Sequence, residues 1–197
     1  MKKVTRPFSV ETEVKRSKFL STIVPFDALE SIRRELRQNH PKASHIVWAF
    51  RRLNEYGQIV EECSDDGEPK GCAGKPVLRV IQGNELVECA ILVVRYFGGI
   101  KLGTGGMARA YSDAAKRAVD AAALIPYEKE SSIAFFTPYS EISRWEHLIK
   151  SMEGLSVSRH FDEDGARWQI TAPQRAVEML QKHLRDARRE FSIELYN

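Results

Sequence analysis

The stretch that most constrains this chain is Ile91–Tyr111, ILVVRYFGGIKLGTGGMARAY. Ile91-Leu92-Val93-Val94 is an unbroken apolar run, the composition of a strand buried on both faces. Gly98, Gly99, Gly103, Gly105 and Gly106 follow closely, so the strand ends there and the backbone is free to turn. Thr104 is placed to cap the helix that comes next. Ala108, Ala110, Ala114, Ala115 and Ala118 let that helix sit close against a sheet. A strand, a glycine loop and a helix start aim free backbone N–H groups at whatever binds there, and such a cradle suits an anion. Arg95, Lys101 and Arg109 bracket it with positive charge.

The rest of the chain has to build and cover the sheet. Val4–Pro25 reads as two strands around Lys15-Arg16-Ser17-Lys18, a basic cluster that suits a lysine-guarded hairpin edge and also a phosphate. Asp27 is placed to cap a helix reaching Asn39, with Leu29, Ile32 and Leu36 on one face and Pro41 as its stop. Ser44–Leu53 reads as a strand, Asn54–Gly57 as a turn, and Gln58–Cys63 as the partner strand. Ser64–Pro76 is too rich in Gly, Pro and Asp for regular structure and reads as a loop. A short helix over Val77–Ile81 and the strand Leu86–Tyr96 come next. The helix after the glycine loop should run to about Leu124, and Pro126 closes a first domain of residues 1–127.

Residues 131–197 show a cleaner pattern. Strand Ser132–Thr137 and helix Tyr139–Met152 lead into strands Leu155–Phe161 and Arg167–Ala172 around a turn at Asp162–Gly165. Helix Gln174–Arg188 and strand Phe191–Leu195 complete βαββαβ, the order of a ferredoxin-like plait. The expected fold class is α+β, in two domains.

Composition and motif chemistry narrow the function. The formal net charge of +3 is compatible with nucleic acid without demanding it. The opening MKKVTRPFSV lacks the apolar centre of a signal peptide, and no stretch approaches a membrane span. Cys63, Cys72 and Cys89 are odd in number and lack C-x-x-C spacing, which argues for a reducing, cytoplasmic setting. Gly103–Ala108 matches G-x-G-x-x-A, but the second parallel strand with its acidic end, which a dinucleotide site needs, does not follow. A Walker loop fails because Thr104 stands where its lysine is required. Asp65, Asp66 and Glu68 read as turn chemistry rather than a metal set, since no ligand-bearing helix accompanies them. Cys63, Cys72 and His45 have the chemistry of nucleophile and base, but their spacing does not show that they meet, and a small buried cysteine is the commoner case. Trp48, Trp145 and Trp168 lie in apolar-patterned elements and read as core. The expectation is a protein without catalytic residues, cofactor or metal.

Three segments carry a resemblance. Ser64-Asp65-Asp66-Gly67-Glu68-Pro69, Gly71-Cys72-Ala73-Gly74-Lys75-Pro76 and Val93–Gly103 resemble the signature of the IMPACT/YigZ family, and His45 with Ala49-Phe50-Arg51 is similar to its pattern. The likeness spans nearly the whole chain. It implies an N-terminal domain with the fold of the second domain of a small-subunit ribosomal protein, also seen in domain IV of elongation factor G. It implies a C-terminal plait similar to that factor's domain V. Eukaryotic members regulate translation initiation under stress through an additional N-terminal domain that this sequence lacks, so that partner is not implied. What the resemblance implies here is binding to RNA, the ribosome or a translation factor, in regulation of translation or a stress response, with no membrane partner.

The expected site follows from joining the resemblance to the cradle. Arg95, Lys101 and Arg109 would contact phosphate, and Gly98, Gly99, Gly103, Thr104, Gly105 and Gly106 would offer close-approach backbone, supported by His45, Asp65, Asp66 and Lys75. The alternative is a nucleotide- or phosphate-binding enzyme using the glycine loop 98–106, since some small-molecule kinases share the N-terminal fold family. Arg95 has a second candidate role, pairing with Asp65 or Asp66 to hold the loops together.

Overall fold

The structure is a computed structural model and describes residues 1–152, 154–188 and 194–196. The architecture is mixed α and β with antiparallel sheets, and the chain divides into two compact units, Met1–Tyr127 and Glu128–Asn197.

In the first unit, short β1 (Lys2–Val4) precedes the hairpin β2 (Phe8–Val14) and β3 (Ser17–Pro25), then α1 (Leu29–Asn39). A second hairpin follows, β4 (His45–Leu53) and β5 (Ile59–Ser64), then α2 (Gly74–Gly83), β6 (Cys89–Tyr96) and α3 (Gly103–Ala121). β7 (Leu124–Pro126) closes the unit by pairing with β1. The main sheet has the order β2-β3-β6-β4-β5, every neighbour antiparallel. β6 takes the centre because its side chains are apolar on both faces. Cys89, Ile91 and Val93 join the core under α2 and α3, while Ala90, Leu92 and Val94 join the core under α1. The alanines of α3 do what their size allows: Ala110, Ala114, Ala115 and Ala118 are all buried against the sheet.

The differences from expectation lie at the ends of elements. Asp27 lies in a 3-10 turn, Phe26–Ala28, ahead of α1, and the cap position is Ala28. Thr104 likewise lies inside the first turn of α3, with Leu102 at the cap. α2 begins at Gly74 rather than Val77, because the Asp65 carboxylate takes its first N–H groups from outside the helix. Pro76 then falls in the first turn, where its missing N–H costs nothing. β6 starts at Cys89: Glu85 and Glu88 have φ of 53° and 51°, breaking the strand, and Leu86 makes a separate parallel bridge to Lys2. Leu124–Pro126 leaves the helix because pairing with Lys2–Val4 satisfies its backbone instead.

The second unit runs β8 (Glu130–Pro138), α4 (Ile142–Lys150), β9 (Ser156–Phe161), β10 (Gly165–Pro173), α5 (Gln174–Arg188) and β11 (Glu194–Tyr196). Its strands are antiparallel in the order β11-β8-β10-β9. Strict alternation on β8 buries Ile133, Phe135 and Thr137 against Trp145 and Ile149 of α4 and Leu180 and Leu184 of α5. Trp168 is buried there too, and its indole Nε1 donates to Thr137 Oγ1 at 2.8 Å, so neither polar group is stranded. α4 is shorter than its apolar pattern suggests, since Tyr139–Glu141 forms a 3-10 turn before it. The expected strand Phe191–Leu195 lies partly outside the described residues, at Phe191, Ser192 and Ile193.

Candidate functional site

β6 ends its buried run on a charge. Cross-strand register sets Phe19 of β3, Arg95 of β6 and His45 of β4 in one row across the sheet. Alternation puts Arg95 on the same side as Ile91 and Val93, under α3. A guanidinium held there needs a counter-charge. Glu68 supplies it: Arg95 Nη1 donates to Glu68 Oε1 at 2.5 Å, with the two side chains 6% and 3% exposed. Tyr111 of α3 donates its hydroxyl to the same oxygen at 2.8 Å. Burial first, then the Glu68 charge, pushes the Tyr111 hydroxyl far above its ordinary range, so it remains a donor. The rings of Phe19 and Phe97 each lie 5.7 Å from the guanidinium carbon.

The loop between β5 and α2 is folded to deliver Glu68. Asp65 Oδ1 accepts from the N–H groups of Ala73 at 3.0 Å and Gly74 at 2.8 Å, and Oδ2 accepts from Gly71 at 2.7 Å. Burial alone raises the Asp65 carboxyl, but the three N–H groups and the Lys75 charge together hold it below the usual carboxylate range. Asp66 ties the other end: Oδ2 accepts from Ile46 N–H at 2.6 Å, and Arg37 of α1 bonds both carboxylate oxygens. His45 Nδ1 sits 2.7 Å from the Asp66 carbonyl oxygen. A carbonyl only accepts, so that nitrogen carries a proton, and Nε2 is left facing Glu68 Oε2 at 3.8 Å.

His45, Glu68 and Arg95 form one wall of a pocket of about 540 Å³. Pro69, Phe97, Leu102 and Met107 supply apolar walls, and Lys101, Gly103 and Thr104 line it at the start of α3. Of the residues expected from sequence, His45, Arg95, Lys101, Gly103 and Thr104 therefore converge. Arg95 pairs with Glu68, not with Asp65 or Asp66, so its buried charge is neutralised within the fold. Gly98 has a different employer from the one expected. A Cβ there would fall 2.0 Å from the Arg16 carbonyl carbon, so this glycine admits the backbone of the β2–β3 turn. That turn is a tight two-residue one, with Lys15 and Arg16 at φ of 47° and 65°. Gly99 and Gly103 take φ of 83° and 69°, which the loop's path requires. Gly105, Gly106 and Arg109 lie along α3 and are not among the pocket's lining residues. Lys75 is exposed in the first turn of α2, acting on Asp65 through its charge.

Glu68, Tyr111, Phe97 and Met107 escaped the sequence reading as site residues. One signal was available: an arginine closing an otherwise apolar, doubly buried strand requires a carboxylate from elsewhere, and Glu68 sits in a loop built to bring one. The cysteines are free thiols, and burial pushes that of Cys89 up to about 12. Among the described residues no group of three His, Cys, Asp or Glu side chains gathers to hold a metal, and no helix is long and apolar enough to cross a membrane.

Comparison with known proteins places relatives around the whole of this arrangement. The Impact N-terminal domain family matches residues 15–119, which contain every pocket residue named above. A Haemophilus influenzae protein described as an IMPACT family member is 42% identical over 112 residues, 55% of this chain and 54% of its own length. The chain thus matches only about half the length of that relative. The Escherichia coli K12 IMPACT family member YigZ is 37% identical over 163 residues, 79% of this chain and 78% of its own. A crystal structure of a hypothetical protein matches 98% of this chain and 95% of its own, with TM-score 0.70 and 26% identity.

Proposed function

The chain belongs to the IMPACT family, and on that premise we propose that it regulates translation by binding single-stranded RNA across the mouth of the Glu68–Arg95 pocket. The observation that carries this is the composition of the mouth. Lys101 and the first N–H groups of α3, whose cap position is Leu102 and offers no side-chain acceptor, border the pocket beside Phe97, which is 50% exposed. A lysine and a helix N-terminus attract phosphate, and an open aromatic ring stacks a base; single-stranded nucleic acid is bound by that combination. Gly99, Gly103 and Thr104 keep the backbone approachable, while His45, Asp65, Asp66 and Lys75 hold the opposing loop in place. The exposed basic turn Lys15-Arg16, packed against Gly98, extends the positive rim.

Fold kinship points the same way. The order β11-β8-β10-β9 with α4 and α5 supports reading residues 131–197 as a ferredoxin-like plait, and the family resemblance supports comparing it with domain V of elongation factor G and residues 1–127 with domain IV. A ribosomal or RNA partner would place the protein in the cytoplasm.

The test is oligoribonucleotide binding over a salt series, joined to co-sedimentation with ribosomes. Lys101→Ala should weaken binding and flatten the log–log salt slope by about 0.7, the loss of one phosphate contact on a single strand. Its melting temperature should stay at the parent's, since the side chain is exposed. A Lys101→Ala protein that binds RNA and ribosomes like the parent at every salt concentration sinks the proposal.

A further inference from the structure

We propose that the pocket recognises a single base, selecting adenine or cytosine over uracil. This deepens the RNA reading above and rests on it. At the back of the pocket, Glu68 Oε1 already accepts from both Arg95 and Tyr111, whereas Oε2 faces His45 Nε2 across 3.8 Å, too far for a hydrogen bond. With Nδ1 holding its proton for the Asp66 carbonyl, Nε2 is the acceptor nitrogen of that tautomer. Two acceptors therefore face one gap, and an exocyclic amino group, with two N–H bonds, fits between them.

The neighbouring donor is Arg95. Its Nη1 donates to Glu68 Oε1 and reaches the Met107 sulfur at 3.6 Å, while Nε is a buried atom without a partner. A buried donor left unpaired is costly, and Arg95 lines this pocket. The wall thus presents acceptors beside a donor. The complementary edge is an amino group beside a bare ring nitrogen, which adenine and cytosine carry on their Watson–Crick edges. Uracil presents the reverse, a carbonyl oxygen beside an N–H, and would set that oxygen against the Glu68 carboxylate. Phe97, Met107 and Pro69 supply apolar walls for a planar ring. Lys101 and the start of α3 lie where the phosphate of the same nucleotide would sit.

Fluorescence anisotropy with hexamers of A, C and U compares ligands of equal charge, so phosphate attraction cancels. Oligo(A) and oligo(C) should bind at least tenfold tighter than oligo(U). His45→Leu should bring oligo(A) down to the level of oligo(U). Phe97→Ala, at an exposed position, should weaken all three about tenfold and keep their ratio. Equal binding of A, C and U by the parent overturns the base pocket and leaves the RNA reading standing. No binding of any oligomer, even at low salt, overturns both. AMP and UMP form the last arm: AMP bound as tightly as oligo(A), with UMP rejected, keeps the pocket but assigns it to a free nucleotide and overturns the RNA reading.

Discussion

Arg95 on β6 and Arg167 on β10 both sit on inner strands of antiparallel sheets, and both pair with a carboxylate from a neighbouring turn or loop. Around Arg95, helices cover both faces of the sheet and the side chain is 6% exposed. Around Arg167, α4 and α5 cover the face that carries Phe135 and Trp168, and the arginine stands on the other face, 61% exposed. The chemistry of the two pairs is the same, and their obligations differ. Water reaches Arg167 whether or not Asp162 is there, whereas among the described residues Glu68 alone neutralises Arg95. Covering a second sheet face turns an optional ion pair into a required one, and it also leaves a walled pocket where the required carboxylate enters.

Three substitutions break or sharpen that contrast, in falling order of effect. Glu68→Gln leaves the Arg95 charge buried and uncompensated, and should cost about 3–5 kcal/mol in urea unfolding. A loss under 1 kcal/mol would mean that water reaches Arg95 and that the two pairs are alike.

Asp65→Asn tests the loop that delivers Glu68. An amide replaces a carboxylate that holds three backbone N–H groups, so the loss at neutral pH should be about 1–2 kcal/mol. The native Asp65 carboxyl lies below its ordinary value, so its contribution is fully present above the usual carboxylate range and is lost as pH falls through the lowered native value. The gap between parent and variant should therefore close as melts are taken from pH 7 down past about pH 4. A gap that stays constant into acid would show that the carboxylate charge is not what orders the loop.

Asp162→Ala removes the ion pair of this exposed arginine with the turn and should shift stability by no more than about 0–1 kcal/mol in the same urea assay. A loss as large as that from Glu68→Gln would erase the distinction between covered and open sheet faces.

Much of this was legible in the residues. The Ile91–Val94 run announced a doubly buried strand, and β6 is one. The βαββαβ order of the second unit follows from alternation and helical spacing, which are local patterns. The glycine loop marked the place where a pocket opens, and Lys101, Gly103 and Thr104 line it. Misjudged points share one cause. Asp27 and Thr104 look like caps by position alone, while the N–H groups at the start of α2 go to Asp65, nine positions before Gly74 and brought back by the fold of its loop. Gly98 in the sequence suggests freedom toward a ligand, but the atoms it makes room for belong to Arg16.

By itself, then, the sequence determined which segments become strands and helices, where the chain must turn, and that a cationic residue ends the central strand. Those properties depend on side-chain periodicity and on backbone preferences that act within a few residues. The partner of that cation was decided only by tertiary structure. Glu68 meets Arg95 across 27 positions because Asp65 and Asp66 fold the loop back on α2 and β4, and Tyr111 arrives from a helix packed over the sheet. Asp65, Asp66 and Glu68 carry the same charge within four positions of chain; burial, backbone N–H groups and a neighbouring strand give each a different task.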